Sequence, residues 1–302
     1  MLDNFPNDNE TMISLGMLYL KQKKFKKGYD LFFNRSNYGT DKKLLNKWSP
    51  NTDFEKEVVV VCDQGYGDHI QFSRYLSYLK QKVEKIFVAG RDALKEIFIK
   101  NFPFIEYISY DEIDSNMQAI RITDLAYALG IDFENIPSKE GYLKSETENI
   151  TSDKLKVGLC WEAGSAGIRT MINRTISVNE LEPIFNLDEI QTYSFQVNDS
   201  MKGNEKYSQM INLAKDFNNF EDTAKALKAM DVVVTVDTSV AHLAGALGVK
   251  TYLLLPFASD WRWFMDNKKT PWYESVEIIK QTDALTWDKQ IIEVVEKLKG
   301  LK

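Results

Sequence analysis

The chain has 302 residues, of which 44% are hydrophobic and 27% charged, proportions typical of a soluble globular protein with one large or two ordinary domains. The net charge of −6 argues against a general nucleic-acid-binding protein, although it leaves room for a local basic pocket. Two cysteines, Cys62 and Cys160, are too few for a disulfide framework, so we expect two reduced, buried thiols.

The first ten residues, MLDNFPNDNE, lack the basic start and apolar core of a secretory signal peptide. No apolar run in the sequence approaches the ~20 residues that a membrane-spanning helix needs. We therefore expect a cytoplasmic protein without a transmembrane segment.

Residues 10–35 predict two short helices. Small residues stand at Gly16 and Gly28, where the helices would cross, and aromatic residues such as Phe25 and Phe32 would fill the gaps. The pattern resembles a single tetratricopeptide repeat, and an ordinary helical hairpin is the alternative interpretation. Because about three such repeats are needed to bury their own faces, we expect this segment to pack on the neighbouring domain or to contact a partner protein.

From residue 58 onwards, predicted strands and helices alternate, which is typical of a parallel sheet with helices on both faces. The strands are expected over 58–62, 85–89, 107–109, 157–161, 190–196, 232–236 and 251–255. The helices are expected over 68–80, 92–101, 122–129, 178–185, 221–230, 239–247 and 286–298. A polar stretch over 140–153 separates two α/β domains. The predicted division is a helical segment with its connector (1–50), two Rossmann-like domains (51–150 and 151–282) and a final helix (283–302).

The loop after the first strand, residues 63–68, has the sequence DQGYGD. It is neither a dinucleotide fingerprint, because Ile70 occupies the third glycine position, nor a P-loop. Gly65 and Gly67 would allow a substrate to approach the backbone closely. The Asp68 carboxylate would be a helix cap or a general base, and both interpretations stay open.

The loop after strand 157–161 contains small residues and two arginines, namely Gly164, Ser165, Arg169 and Arg174. Backbone amides and planar guanidinium groups suit a diphosphate. The alternative is a solvated loop in which the arginines are incidental.

A third candidate site, Asp237-Thr238-Ser239, lies between a strand and a helix. Its amides would bind phosphate at the helix N-terminus, or Asp237 or Thr238 would simply cap that helix. His242 lies on the first turn, where the helix dipole disfavours a charged imidazole. It would donate a hydrogen bond to a ligand or serve as a structural residue. The other histidine, His69, adjoins the first loop.

Trp261 and Trp263 follow the strand over 251–255, and the carboxyl ends of such strands are where ligands bind. The two rings would stack on a nucleobase or sugar, or they would be core aromatics. The sequence has neither a zinc-type ligand spacing nor an Asp-x-Asp pair. A diphosphate site would therefore use amides, arginines and helix dipoles, with no metal ligands.

Several stretches resemble a glycosyltransferase domain that is fused to tetratricopeptide repeats in bacteria and is similar to the ADP-heptose:lipopolysaccharide heptosyltransferases. They are GYGDHIQFSRYL, VGLCWEAGSAG, NRTIS, DTAKALKAMDVVVTVDTSVAHLAGALG, LLLPFASDWRWF and PWY. The resemblance covers roughly residues 58–282. It implies a GT-B fold, in which two Rossmann-like domains face a cleft that holds a nucleotide-sugar. It also implies inversion at the anomeric carbon without a metal or another cofactor.

The resemblance assigns the role of base to Asp68 and the diphosphate contact to Arg174. It assigns the binding of the nucleotide to Asp237, Thr238, Ser239 and His242. Weaker contacts with donor or acceptor are expected from Gly65, Gly67, His69, Gln71, Trp261 and Trp263. Three features depart from the heptosyltransferase pattern: Ser239 replaces a glycine, an arginine replaces a lysine in the second loop, and DWRW is not a heptosyltransferase feature. The donor sugar and the nucleotide base therefore stay open.

The predicted function is metal-independent, inverting transfer of a sugar from a nucleotide-sugar to a hydroxyl of a glycan, a lipid-linked acceptor or a protein. No nucleic-acid partner is expected. A nucleotide-sugar epimerase or hydrolase of the same architecture is an alternative. A non-catalytic scaffold that binds a nucleotide-sugar is another.

Overall fold

A computed structural model describes residues 8–33, 35, 47–164, 174–197, 207, 209–265, 268–284 and 286–301. These residues form two compact units. The first comprises Met1–Ser138 and Asp260–Asn267, and the second Lys139–Ser259 and Lys268–Lys302. Along the chain, the first unit ends at Ser138 and the second begins at Lys139, whereas the division expected from the sequence lay between residues 150 and 151. Residues 260–267 differ from the prediction, because they belong to the first unit although the chain reaches them from within the second.

In its described residues, the first unit contains a four-stranded sheet in which all neighbouring strands are parallel. The strands are β1 (Glu57–Val61), β2 (Lys85–Ala89), β3 (Ile105–Ile108) and β4 (Gln118–Arg121), in the order β3-β2-β1-β4. The order reverses between β1 and β4, and ligands of open α/β sheets bind at the carboxyl ends of strands at such a switch point. The sequence did not predict β4, because the four residues QAIR show no apolar alternation.

The helices of the α/β part of the first unit are shorter than predicted, and two of them begin with a 3₁₀ turn. They are α1 (Asn9–Lys21), α2 (Phe25–Phe32), α3 (Tyr66–Ser73), α4 (Leu76–Leu79), α5 (Lys95–Asn101) and α6 (Leu125–Ala128). The 3₁₀ turns are Asp92–Leu94, Tyr110–Glu112, Ile122–Asp124, Phe133–Asn135 and Trp261–Trp263.

Helices α1 and α2 form a hairpin that belongs to the first unit and packs on its α/β part, which is one of the two expectations for a repeat-like segment that cannot bury its own faces. Tyr29 stacks on Tyr127 with ring centroids 5.9 Å apart, and Phe25 makes an edge contact with Phe133 at 5.9 Å. The rings come from the hairpin and from the α/β part of the unit, so the hairpin shares its core with that part. That the hairpin is a single tetratricopeptide repeat stays a prediction.

Gly28 sets the distance between the two helices, which gives a first testable prediction. A Cβ atom at this position would lie 2.6 Å from Leu20 Cγ and 2.9 Å from Leu20 N. Such overpacking costs about 1–3 kcal/mol, which exceeds the gain of about 1 kcal/mol in helix propensity. We therefore expect Gly28→Ala to lower the free energy of unfolding, measured by urea denaturation, by about 1 kcal/mol. Lys27→Ala on the exposed side of α2 is the control and is expected to be neutral. Equal stability of Gly28→Ala and the wild type would contradict this helix crossing.

A buried ion-pair network, which the sequence did not predict, anchors the segment after α2. Arg35 is only 4% exposed. Its guanidinium donates to Asp124 Oδ1 at 2.6 Å, to Asp63 Oδ2 at 3.1 Å and to the Thr123 hydroxyl. Arg121 donates to Asp124 Oδ2 at 2.6 Å and to the carbonyl oxygen of Arg35 at 2.8 Å. Asp63 lies two residues after the end of β1, so this network anchors the segment that follows the hairpin to the carboxyl end of β1, next to the switch point.

The described part of the second unit contains a six-stranded sheet with parallel neighbours throughout. Its order is β10-β9-β8-β5-β6-β7, which is the order of dinucleotide-binding folds. The strands are β5 (Leu155–Cys160), β6 (Ile190–Ser194), β7 (Ile211–Asn212), β8 (Val232–Val236), β9 (Thr251–Leu255) and β10 (Val276–Lys280). The helices are α7 (Glu182–Phe185), α8 (Phe220–Lys228), α9 (Ser239–Ala246) and α10 (Asp288–Lys299), with 3₁₀ turns at Val178–Leu181 and Ala214–Asp216.

The two sheets confirm an α/β fold with two Rossmann-like domains. In the second sheet the switch point lies between β5 and β8, so the loops after these strands are the places where a ligand is expected. Every residue of β8 is buried, as is typical of a central parallel strand covered on both faces.

Both cysteines are buried and free, as predicted. Burial raises the pKa of the Cys160 thiol to about 11 and also raises the pKa of Cys62. Neither thiol is therefore a nucleophile at neutral pH. None of the helices in the described ranges combines the length and the apolar composition required to cross a membrane.

Candidate functional site

Asp68 lies at the carboxyl end of β1, three residues into α3. The N-cap of α3 is Gly65, whose backbone N–H donates to Asp68 Oδ2 at 3.1 Å. Asp68 therefore supports the helix start without being the N-cap itself, and its charge suits the positive end of the helix dipole. The Asp68 side chain is 17% exposed, so it is still accessible to solvent.

The second oxygen of this carboxylate faces an arginine that the sequence analysis did not single out. Asp68 Oδ1 accepts a hydrogen bond from Arg262 Nη2. The same guanidinium donates to Asp260 Oδ1 at 2.8 Å and to Gln64 Oε1 at 3.1 Å. Burial raises the pKa of Asp68 above its ordinary value, and the positive charge of Arg262 opposes this rise.

The other predicted residues of the first loop are largely enclosed. His69 and Gln71 are fully buried, and burial together with the Arg91 charge lowers the pKa of His69 to about 4. His69 is thus a neutral interior residue at pH 7. Gly67 is half-buried in the first turn of α3, whereas the N-cap Gly65 is exposed.

Trp261 and Trp263 are core aromatics of the first unit, with 3% and 2% exposure. Trp261 makes edge contacts with Phe32 and Tyr29 of α2, at centroid distances of 6.0 and 6.5 Å. This placement corrects the interpretation of the two rings as stacking surfaces of the second domain and favours the alternative of core packing.

In the second unit, the residues of the third candidate site lie in the turn after β8 and at the start of α9. Thr238 is the N-cap of α9, and its Oγ1 accepts a hydrogen bond from Val240 N at 3.2 Å. Thr238 and Ser239 are half-buried, so this end of the helix is accessible. An N-terminus of this kind favours a negatively charged ligand.

Arg174 lies against the same turn. Its Nη1 is 3.2 Å from the carbonyl oxygen of Asp237 and 3.4 Å from Asp237 Oδ2. Asp237 is buried, whereas the Arg174 side chain keeps 20% of its exposure. The structure therefore brings an arginine and a helix N-terminus together. Ser165 and Arg169 lie outside the described residues. Gly164 is exposed, and a Cβ atom there would meet open space.

His242 is fixed between two side chains of the second unit. Its Nδ1 is 3.0 Å from the Tyr273 hydroxyl, and its Nε2 is 4.0 Å from Asp237 Oδ1. It is 4% exposed. These contacts orient the imidazole behind the Asp237 turn and allow it to support the Asp237 carboxylate.

Sequence reasoning missed Arg262 and Tyr273, which orient two of the candidate residues, and Gln196, which orients the second loop. Gln196 Oε1 accepts from Glu162 N at 2.9 Å and from Trp161 N at 3.3 Å. One sequence signal could have pointed to Arg262, because it is a charged residue between two tryptophans. Within the described ranges, no three His, Cys, Asp or Glu residues form a group that would hold a metal ion.

No protein-family model matches this sequence. A curated relative, the protein FlbA of Caulobacter vibrioides, is 22% identical over 281 residues, covering 80% of this chain and 46% of FlbA. The chain therefore spans about half the length of that relative.

Solved structures of glycosyltransferases share the fold. The iron-containing dodecameric glycosyltransferase TibC of enterotoxigenic Escherichia coli aligns with a TM-score of 0.58 at 11% identity, over 83% of this chain and 78% of TibC. TibC is also known in complex with ADP-D-β-D-heptose. The E. coli ADP-heptose lipopolysaccharide heptosyltransferase II aligns with a TM-score of 0.54 at 14% identity, over 81% of this chain and 98% of that enzyme. These likenesses show that the chain has the two-domain fold of heptosyltransferases.

Proposed function

We propose that this protein is an inverting glycosyltransferase that moves a sugar from a nucleotide-sugar to an acceptor hydroxyl. The observation that carries the proposal is the half-buried Asp68 carboxylate, held on both oxygens at the switch point of a heptosyltransferase fold. A carboxylate in this place suits a general base. An ADP-linked sugar, with ADP-heptose as the first candidate, is the proposed donor, because TibC is known in complex with ADP-heptose.

In the proposed reaction, Asp68 accepts the proton of the acceptor hydroxyl. The oxygen then forms a bond to the anomeric carbon, while the bond from that carbon to the diphosphate breaks and the nucleoside diphosphate leaves with the electron pair. Asp68 has capacity for this role, since a carboxylate offers about four acceptor positions, of which the Gly65 N–H and the Arg262 guanidinium use two. An ionised carboxylate is required, so the reaction should slow as the pH falls through the raised pKa of Asp68.

The donor diphosphate would bind in the second unit. The amides at the start of α9 and the Arg174 guanidinium offer positive charge from the helix dipole and from a cation. The leaving diphosphate develops negative charge in the transition state. Each hydrogen-bond donor that is already in place at that charge speeds such a reaction by about 10²–10³-fold. We propose that these groups act without a metal ion.

The donor assignment predicts a specific thermal shift. ADP-heptose and ADP-, GDP-, UDP-, CMP- and dTDP-linked sugars are each added to the full chain, and the unfolding temperature is measured. A ligand present at a hundredfold excess over its Kd stabilises the folded protein by about 2.7 kcal/mol. We expect ADP-sugars to raise the unfolding temperature of the wild type and to have a smaller effect on Arg174→Ala. Equal shifts in EDTA are expected for metal-independent binding.

The control for Arg174→Ala is Lys250→Ala, which removes an equal charge from an exposed position of the same unit. An unfolding temperature that does not change with any nucleotide-sugar would overturn the proposal. The alternatives are separated by incubating the protein with the bound nucleotide-sugar and no acceptor. A product formed under these conditions would indicate an epimerase or a hydrolase.

A further inference from the structure

We propose that Arg262 is a positioning residue of the first unit, which fixes the Asp68 carboxylate in one orientation and keeps it charged. Its role in sugar transfer rests on the proposed function, but the effect on Asp68 is a property of the ligand-free protein. Arg262 contacts Asp68 within one compact unit, since both residues belong to the first unit.

The geometry favours orientation over a loose surface contact. Arg262 is 8% exposed. One side of its guanidinium is held by Asp260 at 2.8 Å, and the other side bonds both Gln64 Oε1, at 3.1 Å, and Asp68 Oδ1. The Trp261 ring centroid lies 4.7 Å from Arg262 Cζ. A planar guanidinium fixed on several sides leaves the Asp68 carboxylate little freedom to turn.

The backbone on both sides of this contact is held in an unfavourable conformation. Gln64 has a φ of 67° and Phe264 a φ of 57°, and they are two of the four non-glycine residues with positive φ in the described chain. Such conformations persist only where the surrounding packing imposes them, and they cluster at functional sites. At Phe264, packing is provided by Phe133, with ring centroids 5.1 Å apart, and by Phe25 at 6.2 Å.

The N-terminal hairpin packs against the turn that carries Arg262. Phe25, Tyr29 and Phe32 of α2 contact Trp261, which directly precedes Arg262, and Phe264, which lies two residues after it. Because these contacts lie on either side of the arginine, the hairpin braces the turn that carries it. The hairpin is thus part of the site that holds Asp68, in addition to any contact it makes elsewhere.

The charged groups around Asp68 determine whether its pKa rises or falls when Arg262 is replaced. Arg262 is the cation that lowers its pKa, while burial, Asp260 and Asp63 raise it, and the Gly65 N–H lowers it. Removal of the Arg262 charge leaves the groups that raise the pKa in place. An opposite charge at such a distance lowers a carboxyl pKa by about 1–3 units, so its loss should raise the Asp68 pKa by a similar amount.

The test compares Arg262→Met and Arg262→Gln, which remove the charge, with Arg262→Lys, which keeps it. The ¹³C-carboxyl signal of Asp68 is assigned by its loss in Asp68→Asn and titrated in the ligand-free full chain. We expect the midpoint to rise by about 1–3 pH units in Arg262→Met and Arg262→Gln, and by much less in Arg262→Lys. Lys85→Met is the control, because it removes an exposed charge paired with Glu106 in the same unit.

A midpoint that is unchanged in both uncharged variants would overturn the proposal, as would an equal rise in Arg262→Lys. If Arg262→Met does not fold, Arg262→Gln gives the same comparison. In the transfer reaction, the acid limb of kcat/KM should move by the same number of pH units as the carboxyl titration. A purely structural role would lower activity at all pH values without moving this limb. If the wild type transfers no sugar, the proposed function fails, while the titration still decides the role of Arg262.

Discussion

Replacement of Asp68 by asparagine is expected to lower the rate of sugar transfer by about 10²–10⁴-fold, the usual contribution of a positioned general base. The amide retains an oxygen that can accept from the Gly65 N–H, which lies 3.1 Å from the native carboxylate. It loses the capacity to take up a proton. Affinity for the nucleoside diphosphate should be unchanged, because the proposed diphosphate ligands belong to the second unit. The measurements are steady-state transfer from ADP-heptose and calorimetric binding of ADP.

Asp111→Asn is the matched control, since Asp111 is an exposed aspartate in a 3₁₀ turn of the same unit. It is expected to retain wild-type transfer. Near-normal transfer by Asp68→Asn would show that another group is the base. A loss of ADP binding in that variant would indicate a structural defect in place of a chemical one.

Arg35→Met is expected to reduce the free energy of unfolding by about 3–5 kcal/mol, the usual effect of removing one partner from a buried ion pair. The variant leaves Asp63 and Asp124, which are 4% and 1% exposed, without the guanidinium that bridges them. Arg121 would still pair with Asp124. The lost stability should therefore come mainly from Asp63, which is left without its ion-pair partner, and from the weakened attachment of the segment that follows the hairpin. Urea denaturation at 25 °C measures the change.

The pH dependence of this variant has a definite sign. Burial raises the pKa of Asp124 even in the wild type, with Arg35 and Arg121 opposing the rise. Without Arg35 the folded-state pKa of Asp124 rises further above its unfolded value of about 4. The folded variant therefore binds protons more readily, and the stability gap to the wild type should narrow as the pH falls towards 4. A gap that widens at low pH would contradict this account.

Lys56→Met provides the contrast, because Lys56 pairs with Glu84 while both side chains are exposed, at 80% and 68%. Such surface pairs contribute about 0–1 kcal/mol. If Arg35→Met were no more destabilised than Lys56→Met, the network around Arg35 would not be desolvated as the structure indicates.

Elements with strong local patterns were predicted well. Strands β1, β2, β8 and β9 were found within one residue of their predicted positions, because continuous apolar runs bounded by polar turns are read from neighbouring residues alone. The sequence analysis missed three strands, β4, β7 and β10. Strands β4 and β7 contain only four and two residues, and such short segments carry little periodic signal. The pairing of β4 with β1, of β7 with β6 and of β10 with β9 depends on register with strands elsewhere in the chain.

Asp68, Thr238 and the two switch-point loops could be chosen from the sequence, because a strand, a glycine or Ser/Thr turn and a helix follow one another within a few residues. The sequence by itself therefore determined the α/β alternation and the residues at the helix starts. Tertiary structure alone decided that Arg262 pairs with Asp68 across 194 residues and that Arg35 joins the hairpin to Asp63 and Asp124. Both contacts depend on which segments fold against each other, and a residue's own neighbours in the chain carry no signal of that choice.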